Sequence, residues 1–373
     1  MGWFLRECSF LAVQKVVQLA RSALGLGADF RDDTLGYFTE RLDPAPTRLA
    51  LAHTVRVAKR NKAFAHSPLI GLAIDGTKAG YSRKQRCSLC RPVYHPTTRE
   101  VIGYGHHLVL GSVVGVGLPL PVDVEPYGPG DSEYAAGQRL LVRVVRNLGK
   151  RFADYVVVDG EYATAPFVHL AGDLGLYVVA ALKDNLPELR EAAEHRFAQQ
   201  PPHETFWDGE DFVEVWDALD WNPWTALRWE RVRVLRYLQH KPDGKANEGY
   251  WLTDFPKWLV HSRALYRIAK GRWEIENQGF NDAKNRYGLG HICHHHANSL
   301  LIDWLITILV LTVERLYRLR YLHRNRLYAQ VPILYVTCGW AWRGMWSLTP
   351  AEPCGDYSIQ PRLACVAGGV QQE

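Results

Sequence analysis

Two short apolar runs, each ending in Asp-Gly, constrain this chain more than any other feature. Leu69-Ile70-Gly71-Leu72-Ala73-Ile74 leads into Asp75-Gly76-Thr77, and Tyr155-Val156-Val157-Val158 leads into Asp159-Gly160. Runs this short, without polar alternation, fit strands covered on both faces. Each delivers an acid to the strand's C-terminal end, the edge where open α/β sheets place their ligand chemistry. Glycine after the acid leaves room for a phosphate and a hard cation beside the backbone.

The segments around these runs set their order. His107 to Val116 and Leu118 to Val124 can supply two further strands, and Ser132 to Leu148 reads as a helix capped by Asp131 or Ser132. A helix over roughly 164–174 leads to a third apolar run, Tyr177 to Leu182. Strand, two strands, helix, strand, helix, strand is the order of an RNase H-like fold. In that fold the first and fourth strands are parallel neighbours about 4.8 Å apart, which would set Asp75 and Asp159 side by side.

The rest of the chain is organised around this core, whose first part spans 67–200. Residues 1–66 form a helical N-terminal region, with apolar periodicity from Trp3 to Leu26 and again from Leu35. Asp43-Pro44 interrupts it, and a basic helix continues to about Lys62. This region is either a small bundle or a DNA-end-binding domain. Over 201–257, Phe206-Trp207, Phe212 to Trp216, Arg231 to Leu235 and Tyr250 to Leu252 alternate like short strands, a β-rich insertion. Helical periodicity returns from about Ser262 to Tyr287 and from Ala297 to about His323, so 258–325 is the helical remainder of the core. Residues 326–373 are an irregular tail with no assigned role. The expected class is α/β: an RNase H-like catalytic core interrupted by a β-rich insertion, with a helical N-terminal region.

Composition narrows the function. With 373 residues, 47% of them hydrophobic, the chain can bury a core larger than one minimal domain. A net charge of +5 is only mildly basic, but the basic residues cluster. Arg56, Lys59, Arg60 and Lys62 form one group, and Arg83, Lys84, Arg86 and Arg91 a second. Arg315, Arg318, Arg320, Arg324 and Arg326 form a third. Such clusters suit a polyanion running across the surface, the alternative being solvated helix faces. The seven cysteines are odd in number and mostly scattered, with no secretory leader before them, which fits a reducing cytosol. Trp304 to Val313 is too short to span a bilayer and reads as a buried helix.

Phosphodiester chemistry with two metal ions needs three or four converging carboxylates. Beyond Asp75 and Asp159, the helix at Arg272-Trp273-Glu274-Ile275-Glu276 offers two candidates. Glu274 and Glu276 point about 200° apart on a helix, so one of them can face the aspartates; spacing leaves both open. Cys87-x-x-Cys90 has metal-ligand spacing, and the run Cys293-His294-His295-His296 could complete a structural zinc site, with Cys293, His294 and His296 as candidate ligands. Asp75-Gly76-Thr77 falls short of the Asp-x-Asp-x-Thr motif of phosphotransferases, because Thr77 stands where the second Asp should be.

Five stretches, in order, resemble bacterial insertion-sequence DDE transposases with a β-rich insertion before the last acid. They are Ala73 to Thr77, Ser82 to Cys90, Val157 to Gly160, Tyr250 to Asp254, and Gly271 to Asn285, the last being the most specific. The resemblance covers roughly residues 65–322. It selects Glu276 over Glu274, and implies that Asp75, Asp159 and Glu276 are catalytic and hold two Mg2+ (or Mn2+) ions. It also implies that Arg272 and Lys284 contact DNA phosphates, with Arg267 and Lys270 as further basic residues of that helix. In the related Tyr-x2-Arg-x3-Glu-x6-Lys signature, Ala269 stands at the Tyr position and Lys284 lies one residue late. The implied activity is cleavage at element ends and strand transfer of 3′-hydroxyl ends. The implied partners are terminal inverted repeats and target DNA, engaged by a homodimer in a synaptic complex, without a membrane. The implied setting is the nucleoid in a bacterial or archaeal cytoplasm. The alternatives are an RNase H-like nuclease without strand transfer, and an inactive, truncated or repurposed copy that only binds DNA.

Overall fold

The apolar runs become the centre of a sheet covered on both faces. The computed structural model describes residues 10–20, 31–183, 185–221, 227, 229 and 231–319. It opens with helices α1 (Phe10–Ala20), α2 (Asp32–Arg41) and α3 (Pro44–Arg60), followed by strands β1 (Gly71–Ser82), β2 (Arg91–Tyr94), β3 (Val101–Val114) and β4 (Leu120–Tyr127). Next come α4 (Glu133–Leu148), β5 (Tyr155–Val158), a 3-10 turn (Gly160–Tyr162), α5 (Ala165–Asp173), β6 (Tyr177–Ala181) and α6 (Pro187–Ala198). Strands β7 (Glu204–Asp208), β8 (Asp211–Trp221), β9 (Val232–His240) and β10 (Ala246–Thr253) follow. The last described elements are α7 (Ser262–Glu274), a π-helical segment (Ile275–Phe280), α8 (Asn281–Tyr287) and α9 (Ala297–Tyr317).

The strands form one sheet in the order β2-β3-β1-β5-β6-β10-β9-β8-β7, with β4 also paired to β3. β1, β5 and β6 are parallel, and the remaining pairs are antiparallel. The segment read as a β-rich insertion continues this same sheet, because β10 pairs with β6 from Trp251↔Ala181 to Thr253↔Val179.

The period-two geometry of a strand explains why the central runs have no polar positions. Leu72, Ile74, Val156, Val158, Val178 and Ala180 face α4 and α5, against Leu140, Leu141, Val144, Phe167 and Val168. Ala73, Val157 and Val179 face the other way, towards Leu265 and Tyr266 of α7 and Trp304, Leu305 and Ile308 of α9. Each large aliphatic side chain buried in this way contributes about 1.5–3 kcal/mol. Helix starts follow their capping residues. The Asp43 carboxylate accepts from the Ala45 N–H with Pro44 at the first turn, and the Ser132 hydroxyl accepts from the Ala135 N–H.

Several elements depart from the sequence-based expectation. β1 does not stop at Asp75. It runs to Ser82, because β3 is long enough to pair with it after β5 has ended. Strand β2 and helix α6 carry no clean periodicity and were not expected. The helix expected over 262–287 is interrupted by the π-helical segment. Of the expected N-terminal helix, α1 is described, whereas the remainder of it and residues from 320 onward lie outside the described residues. No helix among the described residues is long and apolar enough to cross a membrane.

A buried ion pair ties the outer strands to the start of α7. Arg233 of β9 and Asp217 of β8 meet at 2.6 Å with both side chains fully buried. The Ser262 hydroxyl donates to the same carboxylate at 2.6 Å, and Arg233 Nη1 donates to the carbonyls of Phe255 and Val260. The helix leading to Glu276 is thereby anchored to the far half of the sheet.

Candidate active site

Asp75 and Asp159 follow a matched pair. In the parallel β1–β5 ladder Ile74 partners Val158, so the next residue on each strand is the acid. Beyond this point β5 gives way to the 3-10 turn while β1 continues against β3, leaving the β1 edge open at Asp75. Each aspartate accepts from the N–H of its own following glycine, at 3.0 Å for Gly76 and 2.7 Å for Gly160.

The two carboxylates differ in surroundings. Asp75 is 8% exposed, and burial pushes its carboxyl up to about 7. Arg272 opposes that rise, whereas Glu276 and Glu133 add to it. For Asp159 burial acts in the same sense, but Lys183, the Gly160 N–H and Arg272 outweigh it and hold the carboxyl below its ordinary range. Lys183 Nζ lies 2.6 Å from Asp159 Oδ1.

The expected third acid, Glu276, is linked to Asp75 through Arg272. Its Nη1 donates to Glu276 Oε1 at 2.6 Å and to Asp75 Oδ2 at 3.4 Å, so one nitrogen joins both carboxylates. Arg272 and Glu276 are one helical turn apart. Glu276 sits second in the π-helical segment, a local widening of the kind found at functional sites. Arg272 is 7% exposed, so here it partners acids and does not project from the surface.

A fourth carboxylate was not anticipated. Glu133, the first residue of α4, accepts from the Tyr127 hydroxyl at 3.2 Å. A Cβ on residue 76 would come within 2.1 Å of the Glu133 carboxyl, so Gly76 is what admits that side chain. Burial raises the Glu133 carboxyl above its ordinary range, and Glu161 and Asp159 add to the rise. On the opposite side Lys284 Nζ donates to Thr77 Oγ1 at 2.5 Å, joining α8 to β1 two residues past Asp75.

Carboxylate oxygens are hard donors, which suit Mg2+ or Mn2+ better than softer ions. The acids are nevertheless more widely spread than expected. Among the described residues, only a group of cysteines and histidines elsewhere brings its ligand atoms within 4.8 Å of one another. The spread has a visible cause, since Arg272 lies between Asp75 and Glu276 while Lys183 holds Asp159.

A family model described as a transposase DDE domain matches residues 66–313. The chain belongs to the transposase DDE-domain family. Among solved structures, a piggyBac transposase synaptic complex with hairpin DNA is similar at 14% identity and a TM-score of 0.32. The match covers 79% of this chain and 61% of that one, so the chain spans less than two thirds of that structure's length. Among curated proteins none matches.

Within this transposase DDE domain the other expected site residues fall into separate places. Lys270 Nζ lies 2.6 Å from Asp208 at the β7–β8 turn, which also attracts exposed Arg267, so both face the insertion. Of the third basic cluster, Arg315 is buried and pairs with Asp282 at 2.9 Å, and Arg318 pairs with Glu314. Arg315 thus ties α9 to α8, whereas Arg318 is engaged by an acid one turn earlier on its own helix; Arg320, Arg324 and Arg326 lie outside the described residues. Exposed Arg83, Lys84 and Arg86 line a cleft with Tyr81 and His295.

The expected zinc ligands are partly regrouped. Cys87 and Cys90 meet His106 and His295, while Cys293, His294 and His296 turn elsewhere. The Cys293 thiol faces Asp303, and burial pushes it well above its usual range. His294 is taken by Glu40 of α2 at 2.8 Å, and His296 precedes α9 as its cap position. His106 was missed because a lone histidine in an apolar strand has the look of a core residue. Lys183 and Glu133 carried weak signals: a lysine just past the third parallel strand, and an acid opening a helix beside the expected site.

Proposed function

We propose that this chain cuts DNA at the ends of a mobile element and joins the freed 3′-hydroxyl ends to target DNA. The matched register that places Asp75 and Asp159 at one sheet edge, with Glu276 drawn in by Arg272, carries the reading. Asp75, Asp159 and Glu276, with Glu133 beside them, are the residues that would hold Mg2+ or Mn2+. Metal held there would supply activation of the attacking hydroxyl and stabilisation of the leaving oxygen in an in-line displacement.

The chain's own part is positioning and charge balance. Lys183 and Arg272 occupy carboxylate oxygens, so both must yield some of those contacts when a cation or a phosphate enters. Thr77 fixes the Lys284 ammonium beside the site, where it can meet a backbone phosphate. The cleft with Arg83, Lys84 and Arg86 extends this positive track and suits duplex DNA that continues past the cut. Terminal inverted repeats are the expected substrate, and a homodimer that pairs two ends is the expected assembly.

The test is a pair of assays on labelled element-end DNA with Mg2+ or Mn2+: cleavage of the end, and transfer of a pre-cut 3′ end into plasmid. Asp75→Asn should reduce both by at least about 10²–10³-fold, the scale for loss of one preorganised charge-stabilising group. DNA binding should persist. Cleavage without strand transfer would instead favour a nuclease, and binding with neither reaction would favour a repurposed copy.

A further inference from the structure

Four side chains outside the acidic site converge in a way that the transposition reading does not use. Cys87 and Cys90 lie in the loop after β1, His106 in β3, and His295 in the connection between α8 and α9. Cys87 Sγ is 3.6 Å from Cys90 Sγ and 3.3 Å from His106 Nε2. Cys90 Sγ is 3.4 Å from His106 Nε2 and 3.1 Å from His295 Nε2.

These lengths can be compared with a metal tetrahedron. Zn–S near 2.3 Å and Zn–N near 2.0–2.1 Å give edges of about 3.8 Å between sulfurs and about 3.6 Å between sulfur and nitrogen. These four separations lie within about half an ångström of those edges. All four donor atoms are within 4.8 Å of one another, so each is an edge neighbour of the other three.

Ordinary packing accounts poorly for the group. His106 is fully buried, and its Nδ1 has no hydrogen-bond partner. The hydrogen-bonding partners of the ring, both at Nε2, are thus two thiols, which are weak hydrogen-bonding groups. A buried imidazole held only in that way loses the hydrogen bonds it had in water, at a cost of about 1–3 kcal/mol. A soft cation shared by two thiolates and two imidazoles would offset that cost.

We propose that Cys87, Cys90, His106 and His295 bind one Zn2+ ion in a closed tetrahedral site separate from the catalytic acids. The site has no open position for substrate, so its role is structural. It joins the β1–β3 pair to the 288–296 connection that follows the Glu276 segment and α8. Nearby, Gly80 brings the β1 backbone close against Gly290 and Ile292 of that connection. Together with the Lys284–Thr77 contact, the ion fastens α8 and the connection after it to β1 and so sets how far Glu276 stands from Asp75. This holds whether or not the chain transfers DNA strands.

The experiment measures metal in the full-length protein, purified without chelator and dialysed. About one zinc per chain is expected by mass spectrometry. Cys90→Ser should lose at least tenfold of it, and His295→Gln, a change in a connecting segment, should weaken retention against a chelator while the protein stays folded. Amide exchange in 288–296 should quicken in His295→Gln, with β5 and β6 unchanged. If Cys90→Ser fails to fold, Co2+ exchanged into the native chain decides the matter. Visible bands of tetrahedral cobalt with thiolate charge transfer support the site, and an octahedral spectrum overturns it. A native protein without bound zinc, or full zinc retained by both variants, also overturns it.

Discussion

The guanidinium of Arg272 lies 3.4 Å from the carboxylate of Asp75, and both side chains are nearly buried. The same nitrogen holds Glu276 at 2.6 Å, so Arg272 balances two of the three acids before any substrate arrives.

Arg272→Ala would strip Asp75 of its nearest positive partner in a desolvated place. We expect a loss of about 1–3 kcal/mol of stability, seen as a melting temperature lower by several degrees. The salt dependence of DNA binding should stay as in the native chain, because a buried arginine engaged by acids contributes little to the phosphate count. A salt slope reduced by about 0.9, with unchanged melting, would show that Arg272 meets a phosphate instead.

Gly76 and Glu133 should behave as one unit. In Gly76→Ala the new methyl takes the space of the Glu133 carboxyl, whose flexible side chain can swing away. Cleavage should fall about 10–100-fold in both Gly76→Ala and Glu133→Gln, the scale for outer groups that tune a metal site. Melting should shift by only a few degrees in either. Full activity in Glu133→Gln beside an inactive Gly76→Ala would mean that the glycine makes room for substrate and not for this carboxylate.

The Arg233–Asp217 pair gives a clean stability test. Arg233→Met leaves the Asp217 carboxylate buried with only Ser262 and Lys257 to satisfy it, which should cost about 3–5 kcal/mol in urea denaturation. Asp217→Leu combined with Arg233→Met should recover most of that loss, because no unpaired charge remains. A double variant as weak as the single one would show that the pair is needed for the geometry of β8, β9 and α7.

Asp254, just after β10, provides a pH signature away from the acids. Burial raises its carboxyl to about 6, against the backbone N–H of Val178 that it accepts at 2.8 Å. The folded chain therefore binds this proton more tightly than the unfolded chain does. Its contribution to stability is present below about pH 4, is lost as pH rises to about 6, and stays absent above that. Asp254→Asn keeps an acceptor for Val178 without the charge. It should gain on the order of 1–3 kcal/mol over the native chain at pH 7, and the gap should close near pH 4. A gap of constant size across that range would rule out the ionisation as its source.

The local chain determined the strands and most helices, because their signals are short-range. The runs before Asp75 and Asp159 lack polar residues since both faces are covered, and the caps at Asp43 and Ser132 act within three residues. Two acids of the site could be placed at strand ends for that reason. Which acids and cations actually meet was decided by the tertiary structure. Asp75 becomes an edge residue only because β5 stops at Val158 while β3 continues. Glu276 is joined to Asp75 by an arginine one turn earlier, and it stands in a π-helical segment that no apolar period encodes. His106 and His295 reach Cys90 across long stretches of chain, while His294 and His296, beside His295, point elsewhere. Hydrophobic periodicity reports which face of an element is buried. The partner packed against that face selects which polar side chain arrives where, and that choice is made only when the sheet and its two helical layers close.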